Sequence, residues 1–434
     1  MEFHPKKRSL IFTKPSLGAV GALALSICSS VSALDYGIFD SRAMAMGGTT
    51  VAAASVQNAH FYNPALLALS DGTEEETRKG RVYLPMMVGQ IADSIETTLD
   101  VVDADLDQNL QNSVDAFNLA PSTETAAQVS VASRELQTAL VEVGGQDLDG
   151  DVFVGISVSE PSHREGGAFY LGTRVIAGGR NNLSQGDLDL LEDYIEVVDF
   201  IASDGAEGTE HLELLDADGN LLDPTPNITS SSNIASVVIS EWGVAASKEF
   251  HIWGQPVAFG ITPKLMKVDV FREDLSYGDS DFDYGEDKRS HLTLNADVGI
   301  AMELGRYFRV GLAAKDIIPQ EFEGGSGLTV STKARVRFGA AYVQRYVTFG
   351  IDVDLQQNEA IGSERPGQHA TAGLEVRPLS WLSIRGGYRQ DLEGLQEDLL
   401  TAGFGFQVGR IVADMAYGIS DDTQAGGLQF GWTF

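Results

Sequence analysis

The last seven residues are Leu428-Gln429-Phe430-Gly431-Trp432-Thr433-Phe434, and large apolar side chains alternate in them with small or polar ones. Successive side chains of a β-strand point to opposite faces, so this stretch predicts a strand with one apolar and one polar face. The same alternation recurs through the C-terminal half, for example over Val347–Leu355 and Leu400–Val408. A soluble β-sandwich alternates in the same way, so the lengths of strands and connections have to decide between the two folds.

The alternating segments are long, and the connections between them are alternately short and long. The segments span roughly 9 to 16 residues, more than a typical globular strand and enough to cross a bilayer at a tilt. Alternating short and long connections are typical of outer-membrane barrels. We count about 14 segments, and closure with both chain ends on one side requires an even number. We therefore predict an all-β fold, a transmembrane antiparallel β-barrel of about 14 strands in the cell outer membrane.

The composition excludes several classes of function. Of the 434 residues, 62 are acidic and 30 basic, a formal net charge of −32, and a surface this acidic repels nucleic acid. A single cysteine, Cys28, excludes disulfide scaffolds and cysteine-rich zinc sites. The chain has no nucleophile elbow, no HExxH metal motif and no phosphate-binding loop with lysine. We predict no enzymatic activity, no cofactor and no metal.

The N-terminal segment has the features of an export signal. A basic run at Lys6–Arg8 precedes the short apolar stretch Leu17–Cys28, and Val31-Ser32-Ala33 is typical of a cleavage site. We predict a signal peptide over residues 1–33. An uncleaved anchor helix over residues 15–34 is the alternative.

The next segment, residues 34–78, is rich in small residues and is followed by the barrel, residues 79–434. Its short length and its glycines argue against a wall strand, and Asn63-Pro64 predicts a rigid turn. We expect this segment to lie inside the barrel as a plug, whereas an exposed tail is the alternative. The residues that we expect to form the plug or gate are Gly47, Gly48, Asn63, Pro64 and Ala65.

Two long insertions, residues 91–150 and 178–231, are expected on the outer side of the membrane. Helical periodicity appears over Ala126–Val143 in the first and over Gln185–Ile201 in the second. Asp216–Asn220 resembles the start of a calcium loop, but Leu221 replaces the glycine that an EF-hand needs, which favours a hairpin turn.

Charged side chains on the polar faces of the strands are expected to line the barrel lumen. Basic and acidic members fall on neighbouring strands, where they can form cross-strand pairs that fill the barrel and hold the plug. Alternatively, some of the arginines bind the anionic head of an amphipathic ligand. The cluster comprises Lys333, Arg335, Arg337, Asp352, Asp354, Arg385 and Arg389. An acidic tract at Asp279–Asp287 is expected to be a solvated loop, with weak cation bridging to lipopolysaccharide as the alternative.

Two sets of motifs carry a family resemblance. Gly47-Gly48 followed by Tyr62-Asn63-Pro64-Ala65 resembles the plug region of FadL-like long-chain fatty-acid transporters. Gly260–Lys264, Asn295–Gly299 and Ile384–Asp391 extend the resemblance to TraF-like outer-membrane barrels, named for plasmid conjugal transfer. The resemblance implies a 14-stranded barrel with an N-terminal plug and a hydrophobic ligand. The terminal aromatic residues Phe430, Trp432 and Phe434 are similar to the signal that the barrel-assembly machinery recognises.

The predicted function is passive uptake or binding of hydrophobic or amphipathic small molecules, similar to long-chain fatty acids, gated by the plug. The alternative is a plugged barrel that serves as a scaffold or anchor for a conjugation or secretion assembly. The expected partners are outer-membrane lipid and lipopolysaccharide, the barrel-assembly machinery and a hydrophobic small molecule, but no nucleic acid.

Overall fold

The computed structural model describes residues 36–69, 80–205, 214–217, 219–277, 288–325, 328–357 and 366–434. The predicted signal peptide and the acidic tract at 279–287 lie outside these residues. The strands in chain order are β1 (Arg81–Ala92), β2 (Gly150–Glu160), β3 (Glu165–Asn182), β4 (Ser231–Ile252), β5 (Gln255–Ser276), β6 (Arg289–Leu304), β7 (Phe308–Lys315), β8 (Gln320–Glu323), β9 (Thr329–Thr332), β10 (Arg335–Gln344), β11 (Val347–Asp354), β12 (His369–Leu379), β13 (Leu382–Asp391), β14 (Leu399–Val408), β15 (Ile411–Ile419) and β16 (Thr423–Thr433).

Fourteen of these strands form a closed antiparallel barrel, and β8 and β9 form a separate hairpin. The last strand closes the ring on the first, with Arg81 opposite Thr433 and Ala92 opposite Thr423. Every strand pairs with its sequence neighbour except that β7 pairs directly with β10, past the β8–β9 hairpin. The predicted barrel and its strand number are confirmed. No open edge is left in the ring, as a membrane environment requires.

The alternation that predicted the strands separates a lipid-facing surface from an inner one. On β16, Phe430 and Trp432 are 43% and 49% exposed, whereas the flanking Gln429 and Thr433 are 1% and 4% exposed. The apolar set therefore points away from the barrel on this strand, as the sequence predicted. A closed barrel with an apolar outer face is an outer-membrane protein, which confirms the predicted location. Its short turns, such as Trp253-Gly254 and Gly409-Arg410, lie at one end, which is the periplasmic end.

The apolar and polar alternation over residues 327–343 predicts one continuous wall strand, and the structure corrects this segment. It is divided into β9, which pairs with β8, and β10, which belongs to the wall. Phe322 of β8 and Val330 of β9 are buried against Val270 of β5. Burial of these apolar side chains favours a hairpin folded onto the inner wall over a continued wall strand.

Helices fill both insertions. The lumen contains the short helix α1 (Ser41–Ala45), and the outer side carries α2 (Asp93–Asp103), α3 (Leu106–Leu119), α4 (Thr123–Val143) and α5 (Gln185–Ala202). Both helices expected from periodicity, α4 and α5, are present. Leu136 and Leu140 of α4 pack with Leu191 and Tyr194 of α5 in a core of their own. No helix within the described ranges is both long enough and apolar enough to cross a membrane.

The segment that resembled a calcium loop is a hairpin turn. The backbone N–H of Asp216 donates to the carbonyl oxygen of Asn220 at 2.9 Å, and Leu215 pairs with Leu221. No cluster of metal-ligating side chains occurs in the part of the chain that the structure describes.

One buried carboxylate fastens α5 to the start of β4. Asp187 accepts hydrogen bonds from the backbone N–H groups of Thr229 (2.9 Å) and Ser230 (2.5 Å), and from their hydroxyls at 3.0 and 2.6 Å. Burial favours the neutral acid, but these donors outweigh it and hold the pKa of Asp187 below its usual range. A carboxyl with a lowered pKa stabilises the fold above its unfolded-state pKa and loses that contribution as the pH falls through the folded-state value.

We expect Asp187→Ala to destabilise the outer helices by roughly 1.5–3 kcal/mol, because four donors lose a charged acceptor. Amide hydrogen exchange of α5 at neutral pH measures this effect, and the difference from the wild type should shrink in acid. Asp189→Ala is the matched control, since Asp189 is exposed on the same helix and accepts a hydrogen bond from the neighbouring Gln185 side chain. Equal protection of the α5 amides from exchange in the two variants would contradict this role of Asp187.

Candidate functional site: the barrel lumen

The N-terminal part of the described chain lies within the ring of strands. We call residues 36–69 the lumenal segment; nearly all of it is buried, and it contains α1 and two 3-10 turns, Val56–Phe61 and Pro64–Ala68. Phe39 and Phe61 pack with Phe153 of β2 and Tyr170 of β3. The segment is therefore packed against the inner wall rather than extended from the barrel.

A belt of glycines on the wall receives the lumenal segment. These glycines lie on ten of the fourteen wall strands, and a Cβ added to any of them would come within 3.1 Å of an atom of the lumenal segment. Glycine has no side chain, so it lets two backbones approach closely. The glycine belt comprises Gly166, Gly260, Gly299, Gly311, Gly339, Gly350, Gly373, Gly387, Gly403 and Gly427.

Several of the predicted gate residues, among them Gly47 and Asn63, lie at these close approaches. Gly47 has φ +66° and lies against the backbone of Tyr388, and its N–H donates to Thr401 Oγ1 at 3.0 Å. The Asn63 side chain donates to the carbonyl oxygens of Val51 (2.8 Å) and Ile300 (3.3 Å). It also caps the 3-10 turn that Pro64 begins, by accepting from the N–H of Ala65 at 3.2 Å.

Charged wall residues bind the backbone of the lumenal segment. Asp352 Oδ2 accepts from the N–H groups of Thr50 (2.6 Å) and Val51 (2.8 Å). Arg337 forms a two-pronged pair with Asp354 at 2.5 and 3.0 Å and also donates to the carbonyl oxygen of Gly48 at 3.2 Å. These contacts tie the lumenal segment to β10 and β11.

The other predicted lumen charges form pairs or lie elsewhere. Arg385 pairs with Glu375 (2.8 Å) and Asp414 (2.6 Å), Arg335 pairs with Asp316, and Arg389 donates to Gln90 at 2.7 Å. Lys333 lies in the connection between β9 and β10 rather than in a wall strand.

An apolar patch, which we call the inner apolar patch, lies on the lumen-facing side of the wall in the half of the barrel away from the periplasm. Its residues project inward from β3, β4 and β5 and are Ile176, Ala235, Val237, Ile239, Met266, Val268 and Val270. Phe322 and Val330 of the β8–β9 hairpin cover it, and the carbonyl oxygen of Glu323 hydrogen-bonds to His291 at 2.8 Å. Barrel interiors are polar as a rule, so an apolar inner wall under a hairpin is a specialised surface.

A protein-family model described as "F plasmid transfer operon, TraF, protein" matches residues 60–354. The chain belongs to this family. The predicted resemblance to TraF-like barrels is thus confirmed. No curated protein matches the chain.

Several solved barrels are similar in structure to this TraF-family barrel. The toluene transporter TodX of Pseudomonas putida is 11% identical, with 93% of this chain and 99% of that chain covered and a TM-score of 0.45. A Pseudomonas aeruginosa FadL homologue is 8% identical, with 93% and 99% covered and a TM-score of 0.43. Omp33 of Acinetobacter baumannii is 10% identical, with 67% and 99% covered and a TM-score of 0.30.

Sequence reasoning missed a buried lysine centre in this TraF-family barrel. The Lys264 side chain is fully buried, and its Nζ lies 3.0 Å from Glu241, 3.0 Å from Asp297 and 2.7 Å from Asp316. Lys264 lies on the inner face of β5 by the same alternation that identified the strand, so its inward direction was available from the sequence. The three carboxylates come from β4, β6 and the residue after β7, so only the barrel brings them together.

Proposed function

We propose that this TraF-family barrel is an outer-membrane channel for passive uptake or binding of hydrophobic or amphipathic small molecules, similar to long-chain fatty acids. The inner apolar patch supports this proposal most strongly. A buried apolar wall beneath a separate hairpin offers a hydrophobic ligand a site that an aqueous pore does not. In this mechanism a ligand displaces the hairpin, the lumenal segment shifts as the gate, and the ligand leaves through the lumen or a gap in the wall.

We expect cells that lack the gene to take up radiolabelled oleate more slowly, and complementation to restore the rate. Val268→Thr puts a hydroxyl into the inner apolar patch at nearly constant volume and should lower uptake several-fold, because the bound ligand then desolvates a polar group. The matched control is Val244→Thr, since Val244 lies on β4 and faces outward. Equal uptake in both variants, at equal barrel abundance, would count against the channel.

The alternative function, a scaffold or anchor for a conjugation or secretion assembly, is favoured by two observations. Beside Phe39, Glu241 and Lys315 the lumen holds a cavity of only about 10 Å³, so this part of the barrel is packed. The outer helices expose apolar side chains, of which Leu119 is 88% exposed. The efficiency of conjugal DNA transfer separates the two functions. If cells that lack the gene lose DNA transfer but take up oleate at an unchanged rate, the scaffold function replaces the channel function.

A further inference from the structure

A second cavity opens at the periplasmic end, on the opposite side of the lumenal segment from the inner apolar patch. We call it the periplasmic vestibule; its volume is about 930 Å³, and residues of three short turns, Tyr307, Arg345 and Trp381, line it. Its floor includes Arg42 and Ala53 of the lumenal segment. The volume lies within the range of small-molecule sites, roughly 300–1,000 Å³.

The periplasmic vestibule is strongly basic in a chain that is strongly acidic overall. Seven arginines and three carboxylates line it, a local charge of +4 against −32 for the whole chain. Low-dielectric walls around charges of one sign concentrate the field inside a cleft. The vestibule therefore attracts anions, whereas the protein as a whole repels them.

The three carboxylates do not neutralise the basic rim. Glu375 is surrounded by Arg42 (2.7 Å), Arg377 (2.5 Å) and Arg385 (2.8 Å) at the floor. The second carboxylate, Asp414, is also bound to Arg385, at 2.6 Å. The third carboxylate, Glu303, pairs with Arg309 at 3.2 Å, so each of the three carboxylates already has an arginine partner.

Two arginines at the rim keep their charge available. Within the described ranges Arg306 and Arg345 form no ion pair, and each guanidinium lies over the adjacent tyrosine ring, 5.3 Å from Tyr307 and 5.5 Å from Tyr346. They lie on the neighbouring β6–β7 and β10–β11 turns. A guanidinium held on an aromatic face still presents N–H donors that match a carboxylate or a phosphate.

Apolar side chains complete the lining. Phe308, Leu379 and Trp381 are 60%, 48% and 46% exposed and line the vestibule beside the arginines. A ligand that contacts both sets needs an anionic head and an apolar chain.

We propose that the periplasmic vestibule binds an anionic amphiphile, with its carboxylate or phosphate head on Arg306 and Arg345 and its chain on the apolar rim. The inference deepens the proposed function and rests on it only for the source of the ligand. A transported carboxylate and a phospholipid of the inner leaflet share this chemistry. Of the predicted lumen charges, Arg385 alone lines the vestibule, so the head-group site lies mainly on residues that the sequence did not indicate.

Calorimetry on the purified full-length barrel in a neutral detergent at low salt tests the inference. The probes are octanoate, octyl phosphate, octanol and inorganic phosphate. We expect octanoate or octyl phosphate to bind, octanol and inorganic phosphate to bind at least tenfold more weakly, and added salt to weaken binding. Tighter binding of octanoate indicates a transported carboxylate, and tighter binding of octyl phosphate indicates a membrane lipid.

Arg306→Gln combined with Arg345→Gln should weaken binding about tenfold, the effect of losing charged hydrogen bonds worth about 1.4 kcal/mol. Both arginines are exposed on turns and have no ion pair within the described residues, so the barrel should still fold. Arg410→Gln is the matched control, since Arg410 is an exposed turn arginine at the same end but outside the vestibule. Unchanged affinity in the double variant, or equal binding of octanol, would overturn the inference. Oleate uptake in cells is a separate measurement from binding by calorimetry. Failure of the proposed channel function and failure of the vestibule site can therefore be told apart.

Discussion

Oxidation of the double variant Thr49→Cys/Thr371→Cys should abolish oleate uptake, and reduction should restore it. Thr49 lies in the lumenal segment and Thr371 on β12, and their hydroxyl oxygens are 3.0 Å apart. Because a C–S bond is longer than a C–O bond, two cysteines at these positions bring their sulfurs to disulfide distance. The bond would fasten the proposed gate to the wall.

The chain is well suited to this experiment. Its single native cysteine is Cys28, in the predicted signal peptide, and removal of that peptide as predicted would leave the introduced pair without a competing thiol. Each single cysteine variant serves as a control and should transport equally under oxidising and reducing conditions. If the disulfide forms, as shown by a gel shift, and uptake continues, the lumenal segment is not the gate.

A second large effect, displacement of the lumenal segment, is expected when one glycine of the glycine belt gains a methyl group. In Gly387→Ala the new Cβ would lie 2.1 Å from the nitrogen of Gly47 and 2.2 Å from the carbonyl carbon of Met46. Both neighbours are backbone atoms, so no rotamer change relieves the overlap. Overpacking of this kind costs about 1–3 kcal/mol, and displacement of the lumenal segment relieves it.

We expect Gly387→Ala to raise the conductance of the barrel in planar bilayers and to sensitise cells to large antibiotics that the outer membrane excludes. Gly426→Ala is the matched control, because a Cβ at Gly426 has no atom within 4 Å and the change of residue type is the same. Identical conductance in the two variants would show that the glycine belt does not hold the lumenal segment in place.

The barrel was predictable because its signal is local. The alternation over Leu428–Phe434 fixes which side chains face lipid, and a closed ring is the arrangement that leaves no strand edge in the membrane. Helices α4 and α5 were predictable for the same reason, since their apolar side chains repeat at helical spacing. The β8–β9 hairpin was not, because Phe322 and Val330 suit a wall strand equally well until their burial on Val270 is known.

The glycine belt shows where sequence reasoning stopped. The chain has 47 glycines, but no pattern within any one strand shows that ten of them surround the lumenal segment. No local pattern shows the periplasmic vestibule either, because its arginines are far apart in the chain.

By itself the sequence determined the closed barrel, the two faces of its strands, the outer helices and the family, because alternation, helical spacing and short motifs are properties of neighbouring residues. Only the tertiary structure decided which inward side chains meet. Lys264 joins carboxylates from three other parts of the wall, and Arg306 and Arg345 come together on adjacent turns. The register and closure of fourteen strands set those distances, and both depend on contacts between residues remote in the chain.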